Sequence, residues 1–198
     1  MSLIKEFFSK YEAKDFRLEP GGILSFDEMS KRINKKGALN KVELISIVNW
    51  KPSKKIGSVK KNSSAEIDKI TRYVISELKG VKYDELKLRV LKALQGVGLG
   101  VASTILALID PKIYGILDVS DWTSLFFLHK EEKLKCYNLD GELTRKMEDQ
   151  ELKDEYWLTY LSTIRKIGKY EKLTSHQVDR ALYTYCKKLQ QEGKVKRI

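Results

Sequence analysis

Cysteine, histidine and proline are scarce in this sequence, and each scarcity excludes a class of protein. Among 198 residues there are two cysteines, two histidines and three prolines. Cys136 and Cys186 cannot build a disulfide framework or a four-cysteine iron–sulfur cluster, so reduced thiols are expected. His129 and His176 lie far apart with no cysteine or carboxylate at metal-ligand spacing, so no metal site and no cofactor is expected, and both read as incidental surface or core residues. Long apolar runs are missing too. The longest apolar segment, Val101–Ile109, falls far short of the ~20 residues a membrane-spanning helix needs. Met1–Lys10 lacks the uninterrupted apolar stretch of a secretion signal, so the expectation is a soluble, cytoplasmic protein with no membrane partner. Internal repeats and low-complexity tracts are absent.

Positive charge is what the chain has in excess. Its formal net charge is +11 and its pI about 9.4, a balance that favours polyanions because each neutralised phosphate releases counterions. Lys-rich and Glu-rich compositions with few cysteines also occur in thermophile proteins, where the charges serve stability. The segment Lys51–Asn62 concentrates five lysines, with Pro52 and Gly57 and no acidic residue, and reads as an exposed basic loop. Lys51, Lys54 and Lys55 are its candidate phosphate contacts. A nucleophilic role for Lys51 would need a depressed pKa, and a sequence does not display burial; five lysines in one loop fit phosphate contacts better.

The spacing of apolar residues predicts a mostly helical chain. Helices are expected over Leu3–Tyr11, from a Ser25 or Asp27 cap through Ile33, over Lys41–Trp50 where strand is the alternative, and from Ser63 through Leu78. Ser63 and Glu66 have capping-box spacing. Further helices are expected over Asp84–Leu94, beyond Asp118, over Glu155–Ile167, and over Val178–Gln190 behind a Thr174–Gln177 cap. Pro20-Gly21-Gly22 interrupts the pattern. The charged stretch Lys130–Asp154, with a turn at Asn138–Gly141, reads as an insertion or lid, and Lys194–Arg197 as a basic tail.

The most specific feature is Leu91–Ala102, LKALQGVGLGVA. Gly96 and Gly98 lie between two apolar helical patterns and mark a tight helix-to-helix turn, and the amides opening the second helix suit a phosphate oxygen. An ordinary helix connection would use the same residues. Asp118, in Leu117-Asp118-Val119-Ser120-Asp121-Trp122, fits either the N-cap of the helix that carries Trp122 or a functional carboxylate.

The pattern filled by Leu91, Leu94, Gly96, Val97, Gly98 and Ala102, followed by an apolar helix, Pro111 and Asp118 ahead of Trp122, resembles the helix-hairpin-helix DNA glycosylases. It is most similar to the 8-oxoguanine glycosylase branch. About thirty residues, Leu91–Trp122, carry the likeness. Asn49-Trp50-Lys51 and Asp179-Arg180-Ala181-Leu182 resemble segments of uncharacterised prokaryotic relatives. The resemblance implies an all-α glycosylase-like fold with two helical lobes around a cleft. As a single domain over 1–198, its lobe A would span about 58–125 with the hairpin at 94–102, and its lobe B about 1–57 plus 126–198.

It further implies a monomer acting on lesion-containing double-stranded DNA. Gly96, Val97, Gly98 and Gly100 would bind DNA beside the loop lysines, Asp118 would be catalytic, and Trp122 and Trp50 would lie against the extruded base. In this chemistry a carboxylate beneath the sugar stabilises the oxocarbenium-like transition state and orients the attacking water. Bifunctional members carry a nucleophilic lysine two residues after the second hairpin glycine, where this chain has Gly100. The implied enzyme is therefore monofunctional. The alternatives are a non-catalytic DNA-binding hairpin protein and a helical protein–protein adaptor.

Overall fold

A computed structural model describes residues 2–18, 22–51, 55–137, 139 and 153–196. The described chain is mostly helical and groups into two compact units, residues 13–110 and residues 1–12 with 111–198. The boundary at Pro111 differs from the 58–125 lobe expected from sequence. It assigns Asp118 and Trp122 to the unit that holds the carboxyl-terminal helices, and the hairpin to the other.

In the unit of residues 13–110, strands β1 (Phe16–Arg17) and β2 (Ile23–Leu24) pair antiparallel, with Phe16 opposite Leu24 and Arg17 opposite Ile23. This two-stranded piece was not expected of an all-α chain, and two residues per strand are too few to show a period of two. Helix α2 (Phe26–Lys36) begins at a Ser25–Glu28 capping box and ends where Gly37 turns left-handed at φ 68°. Helix α3 (Lys41–Trp50) begins at an Asn40–Glu43 box, which settles the helix-or-strand alternative. Glu43, fully buried, also meets Arg32 at 2.7 Å and Lys36 at 3.1 Å, so its charge is paired as burial demands. The basic loop folds in part into a short helix, α4 (Ile56–Val59). Helix α5 (Ser64–Ser76) starts at the expected Ser63–Glu66 box, and α6 (Asp84–Lys92) continues a 3-10 turn at Val81–Tyr83. Helix α7 (Leu99–Ile109) is buried from Val101 through Leu108 and packs on α2, α3 and α6. A helix apolar on every side belongs in an interior.

In the other unit, α1 (Leu3–Ser9) lies along the last helix of the chain. Helix α8 (Val119–Lys130) follows the Asp118 cap, α9 (Trp157–Glu171) continues a 3-10 turn at Asp154–Tyr156, and α10 (Ser175–Gln191) follows a Thr174–Gln177 box. Trp122, Leu125, Trp157, Tyr160, Ile164, Val178 and Leu182 form its core. Among the described residues no helix is long and apolar enough to cross a membrane, and no group of three or more His, Cys, Asp or Glu side chains could hold a metal ion. The turn expected at Asn138–Gly141 and most of the expected insertion lie outside the described residues.

Candidate functional site

The hairpin forms as its glycines predict. Gly96 sits at φ 78°, and a Cβ there would lie 2.7 Å from Val59 Cγ2 and 2.9 Å from both Lys55 O and Val59 N. Only glycine satisfies both the left-handed backbone and the approach of α4. Val97 turns inward, 5% exposed, so of the hairpin residues named as DNA contacts it contributes packing and the glycines contribute the open backbone. Gly98 is the N-cap of α7 in ordinary extended backbone, φ −95° and ψ −175°, and the Ala102 amide donates to its carbonyl at 2.9 Å.

A missing side chain distinguishes this helix start. Among the described helices of seven or more residues, every one that does not continue a 3-10 turn is capped by Ser, Asn, Asp or Thr except α7. The amides of Leu99, Gly100 and Val101 therefore open the helix with no capping side chain among the described residues, at the positive end of its dipole. The Lys55 ammonium lies 3.9 Å from where a Gly98 Cβ would stand, so a second positive group converges on the same place.

Asn62 holds this turn in shape. Fully buried, it accepts from the Gln95 amide at 2.8 Å and donates to the Gln95 carbonyl at 3.0 Å and the Val59 carbonyl at 2.9 Å. One side chain thus satisfies both backbone groups of the residue before Gly96 and ties the hairpin to α4. Nothing in the sequence marks it, because an Asn ahead of a Ser cap looks like any loop residue.

The other lysines and aromatics take separate places. Lys54 lies outside the described residues. Trp50 stacks on Phe16 at 5.1 Å and donates its indole N–H to the Lys14 carbonyl at 2.9 Å, while the Lys14 and Lys51 ammonium groups lie 5.7 and 5.4 Å from its ring centre. Lys51 is directed at that indole, an arrangement of packing and cation–π attraction. Trp122 is fully buried and stacks on Tyr156 at 4.6 Å. The ring is closed to solvent, where the sequence reading places it against an extruded base.

Asp118, half-buried, is the N-cap of α8. Its Oδ1 accepts from the Ser120 amide at 2.9 Å and the Asp121 amide at 3.2 Å, and Asp121 Oδ2 accepts from the Asp118 amide at 3.2 Å. The segment leading to it is tied down along its length. The carbonyls of Pro111 and Lys112 accept from the His176 and Ser175 amides, and the Ile113 carbonyl accepts from Arg165 Nε at 2.8 Å. The Ile116 amide donates to Asp179 Oδ2 at 2.6 Å, and the Ile116 carbonyl accepts from the Tyr160 hydroxyl at 2.8 Å. Burial pushes the Tyr160 phenol well above its ordinary range, and the carboxylates of Asp121, Asp179 and Asp118 push it further. It therefore stays a donor.

His176, read from sequence as incidental, is buried beside Asp179 with Nδ1 at 2.8 Å from Oδ2. Arg180 Nε donates to His176 Nε2 at 3.0 Å. A guanidinium only donates, so Nε2 accepts and Nδ1 carries the hydrogen toward Asp179. Cys186 lies near Ser120, its thiol pushed up mainly by burial.

The expected site residues thus fall into two groups. Gly96, Gly98, Gly100 and Lys55 come together at the hairpin, with Lys51 and Trp50 elsewhere in that unit, whereas Asp118 and Trp122 belong to the other unit. The chain matches no protein-family model, no curated protein and no solved structure.

Proposed function

We propose that this protein is a DNA glycosylase of the helix-hairpin-helix kind, which binds lesion-containing duplex DNA through the α6–α7 turn and hydrolyses the N-glycosidic bond of a damaged base with Asp118. The observation that carries the reading is the uncapped start of α7, with Gly96 forming the turn, Gly98 leaving the amides open and Lys55 alongside. A phosphate oxygen there would accept from backbone amides and meet a positive side chain. In the reaction the C–N bond breaks, the base leaves with the electron pair, and water adds to the sugar carbon. The Asp118 carboxylate faces the positive charge that builds on the sugar and takes up or orients the water proton. Gly100 provides no amine, so strand cleavage through a Schiff base loses its usual nucleophile and the enzyme is monofunctional.

One observation favours a second reading, a non-catalytic hairpin protein that binds DNA: Asp118 Oδ1 already serves two amides of α8. A panel of duplexes, each with one lesion, tests the two. Wild type and Asp118→Asn are compared for base release, with nicks revealed with and without alkali. The glycosylase releases one base, needs alkali to show the nick, and slows by about 100-fold or more in Asp118→Asn with DNA affinity retained. Salt-sensitive DNA binding without release from any lesion assigns the non-catalytic protein.

A further inference from the structure

The carboxylate of Asp179 lies 4% exposed at one end of a buried chain of hydrogen bonds, from Arg180 through His176 to Asp179 and on to the Ile116 amide. The same oxygen, Oδ2, receives both His176 Nδ1–H and the Ile116 N–H. Across from it, Tyr160 on α9 holds the Ile116 carbonyl. Both backbone groups of one residue are therefore fixed by side chains of two helices, two residues before Asp118. Gly115 closes the fit: a Cβ there would stand 2.6 Å from Ile164 Cδ1, 3.0 Å from Asp179 Oδ2 and 3.1 Å from the Ser175 carbonyl.

Such a chain is an inefficient way to stabilise a connection. A buried carboxylate costs desolvation that its partners only partly return, and a neutral or apolar contact of the same shape would hold a linker as well. What a buried carboxylate oxygen shared by two donors provides is a preferred arrangement of both. Rotation of the Asp179 carboxylate would release the Ile116 amide and the imidazole together, so the two contacts are made or lost as one. The carbonyls of Pro111, Lys112 and Ile113 are held further back along the linker, and the Asp179 carboxylate takes the Ile116 amide, two residues before Asp118.

We infer that Asp179 is a positioning residue for Asp118: with His176 behind it and Tyr160 opposite, it fixes the Ile116 peptide and thereby the place from which the Asp118 carboxylate meets the reacting sugar. This inference rests on the glycosylase reading. Asp179 touches no reacting atom. Its effect is on geometry, and displacement of a reacting group by about 1 Å can cost on the order of 100-fold in rate.

The test compares wild type, Asp118→Asn, Asp179→Ala, Asp179→Asn and Tyr160→Phe. It follows single-turnover base release, DNA affinity, thermal melting, and amide hydrogen exchange over 114–121. Asp179→Ala is expected to release base about 100-fold more slowly, with affinity within about twofold and faster exchange confined to that segment. Asp179→Asn keeps an oxygen for the Ile116 amide and is expected to recover most of the rate, a rescue that loss of folded protein would not show. Tyr160→Phe removes only the bond to the Ile116 carbonyl and gives a smaller slowing in the same direction, which keeps the test decisive if Asp179→Ala does not fold. Release that stays within twofold while exchange over 114–121 accelerates overturns the inference, as does a slowing that tracks melting or affinity. If wild type itself releases nothing, the glycosylase reading fails and the inference falls with it. That outcome differs from an active wild type with an equally active Asp179→Ala.

Discussion

Replacing Gly98 by Asn should make the protein more stable and a poorer DNA binder at once. The Gly98 backbone, φ −95° and ψ −175°, nearly superimposes on that of Asn40, φ −97° and ψ 174°, whose side chain caps α3 by accepting from the Glu43 amide at 2.8 Å. An Asn at position 98 can therefore take the same rotamer and accept from the Gly100 or Val101 amide. Room exists, because the nearest atom to the added Cβ is the Lys55 ammonium at 3.9 Å, the end of a flexible side chain. A cap in place of glycine contributes a few tenths of a kcal/mol, and the stiffer unfolded chain adds about 0.4–1 kcal/mol. At about 2–4 °C per kcal/mol for a chain of this size, the melting temperature should rise by about 1–5 °C. The same Asn oxygen occupies the place proposed for a phosphate. Losing one charge-assisted contact of about 1.5–3 kcal/mol weakens binding by about 10-fold to 100-fold, and the slope of log affinity against log salt should flatten by about 0.9. Calorimetry and fluorescence anisotropy on one duplex at four salt concentrations measure both quantities. Unchanged affinity and slope would refute the phosphate site, and a lower melting temperature would refute the capping geometry.

Gly96→Ala should destabilise strongly where Gly98→Asn stabilises. The left-handed backbone costs a β-carbon about 1–2 kcal/mol, and the overlap with Val59 and Lys55 adds about 1–3 kcal/mol, read as a lower urea midpoint. A change under about 0.5 kcal/mol would mean that α4 moves away freely. Alkaline pH should unfold the protein for a definite reason. The phenols of Tyr137, Tyr160 and Tyr185 are all raised, chiefly by burial. The folded state keeps them neutral while the unfolded chain ionises near pH 10, so this contribution is complete below about pH 10 and lost as pH rises beyond it. Urea midpoints from pH 8 to 11 should fall above pH 10, and less steeply in Tyr160→Phe. A flat profile would contradict the burial of these phenols.

Local signals in the sequence were read well where one interaction decides the outcome. The Ser63–Glu66 and Thr174–Gln177 starts need only residues three apart on one chain segment, of the two caps expected for α2 it is Ser25 that serves, and the hairpin needs only glycines between two apolar stripes. The short strands at Phe16–Arg17 and Ile23–Leu24 gave no periodicity to read. The grouping that changes at Pro111 is not legible in the sequence, because a single proline marks a break without saying which helices the following chain will join. The surroundings of Trp122 are illegible for a related reason. An aromatic one turn beyond Asp118 projects along the helix in the same way whether the face it meets is a cleft or the Tyr156 ring.

The residues to which the sequence assigns no role share a physical type, and both candidate sites lean on them. Asn62 and Asp179 are buried polar side chains whose partners are backbone groups 33 and 63 residues away. Pairing at such separations leaves no mark at either end, and an Asn or Asp in isolation reads as a turn or a solvated surface. Each holds backbone close to a candidate site residue: Asn62 the amide and carbonyl of Gln95 before Gly96, Asp179 the Ile116 amide two residues before Asp118. Helix packing fixes backbones at side-chain contacts, but a hairpin turn and a linker contribute few side chains of their own to a core. Their backbone amides and carbonyls must find partners or water. A buried amide or carboxylate delivered from elsewhere in the same unit meets that requirement and favours one conformation of the turn, so one bond both satisfies the loop's backbone and fixes where the candidate residues beside it stand.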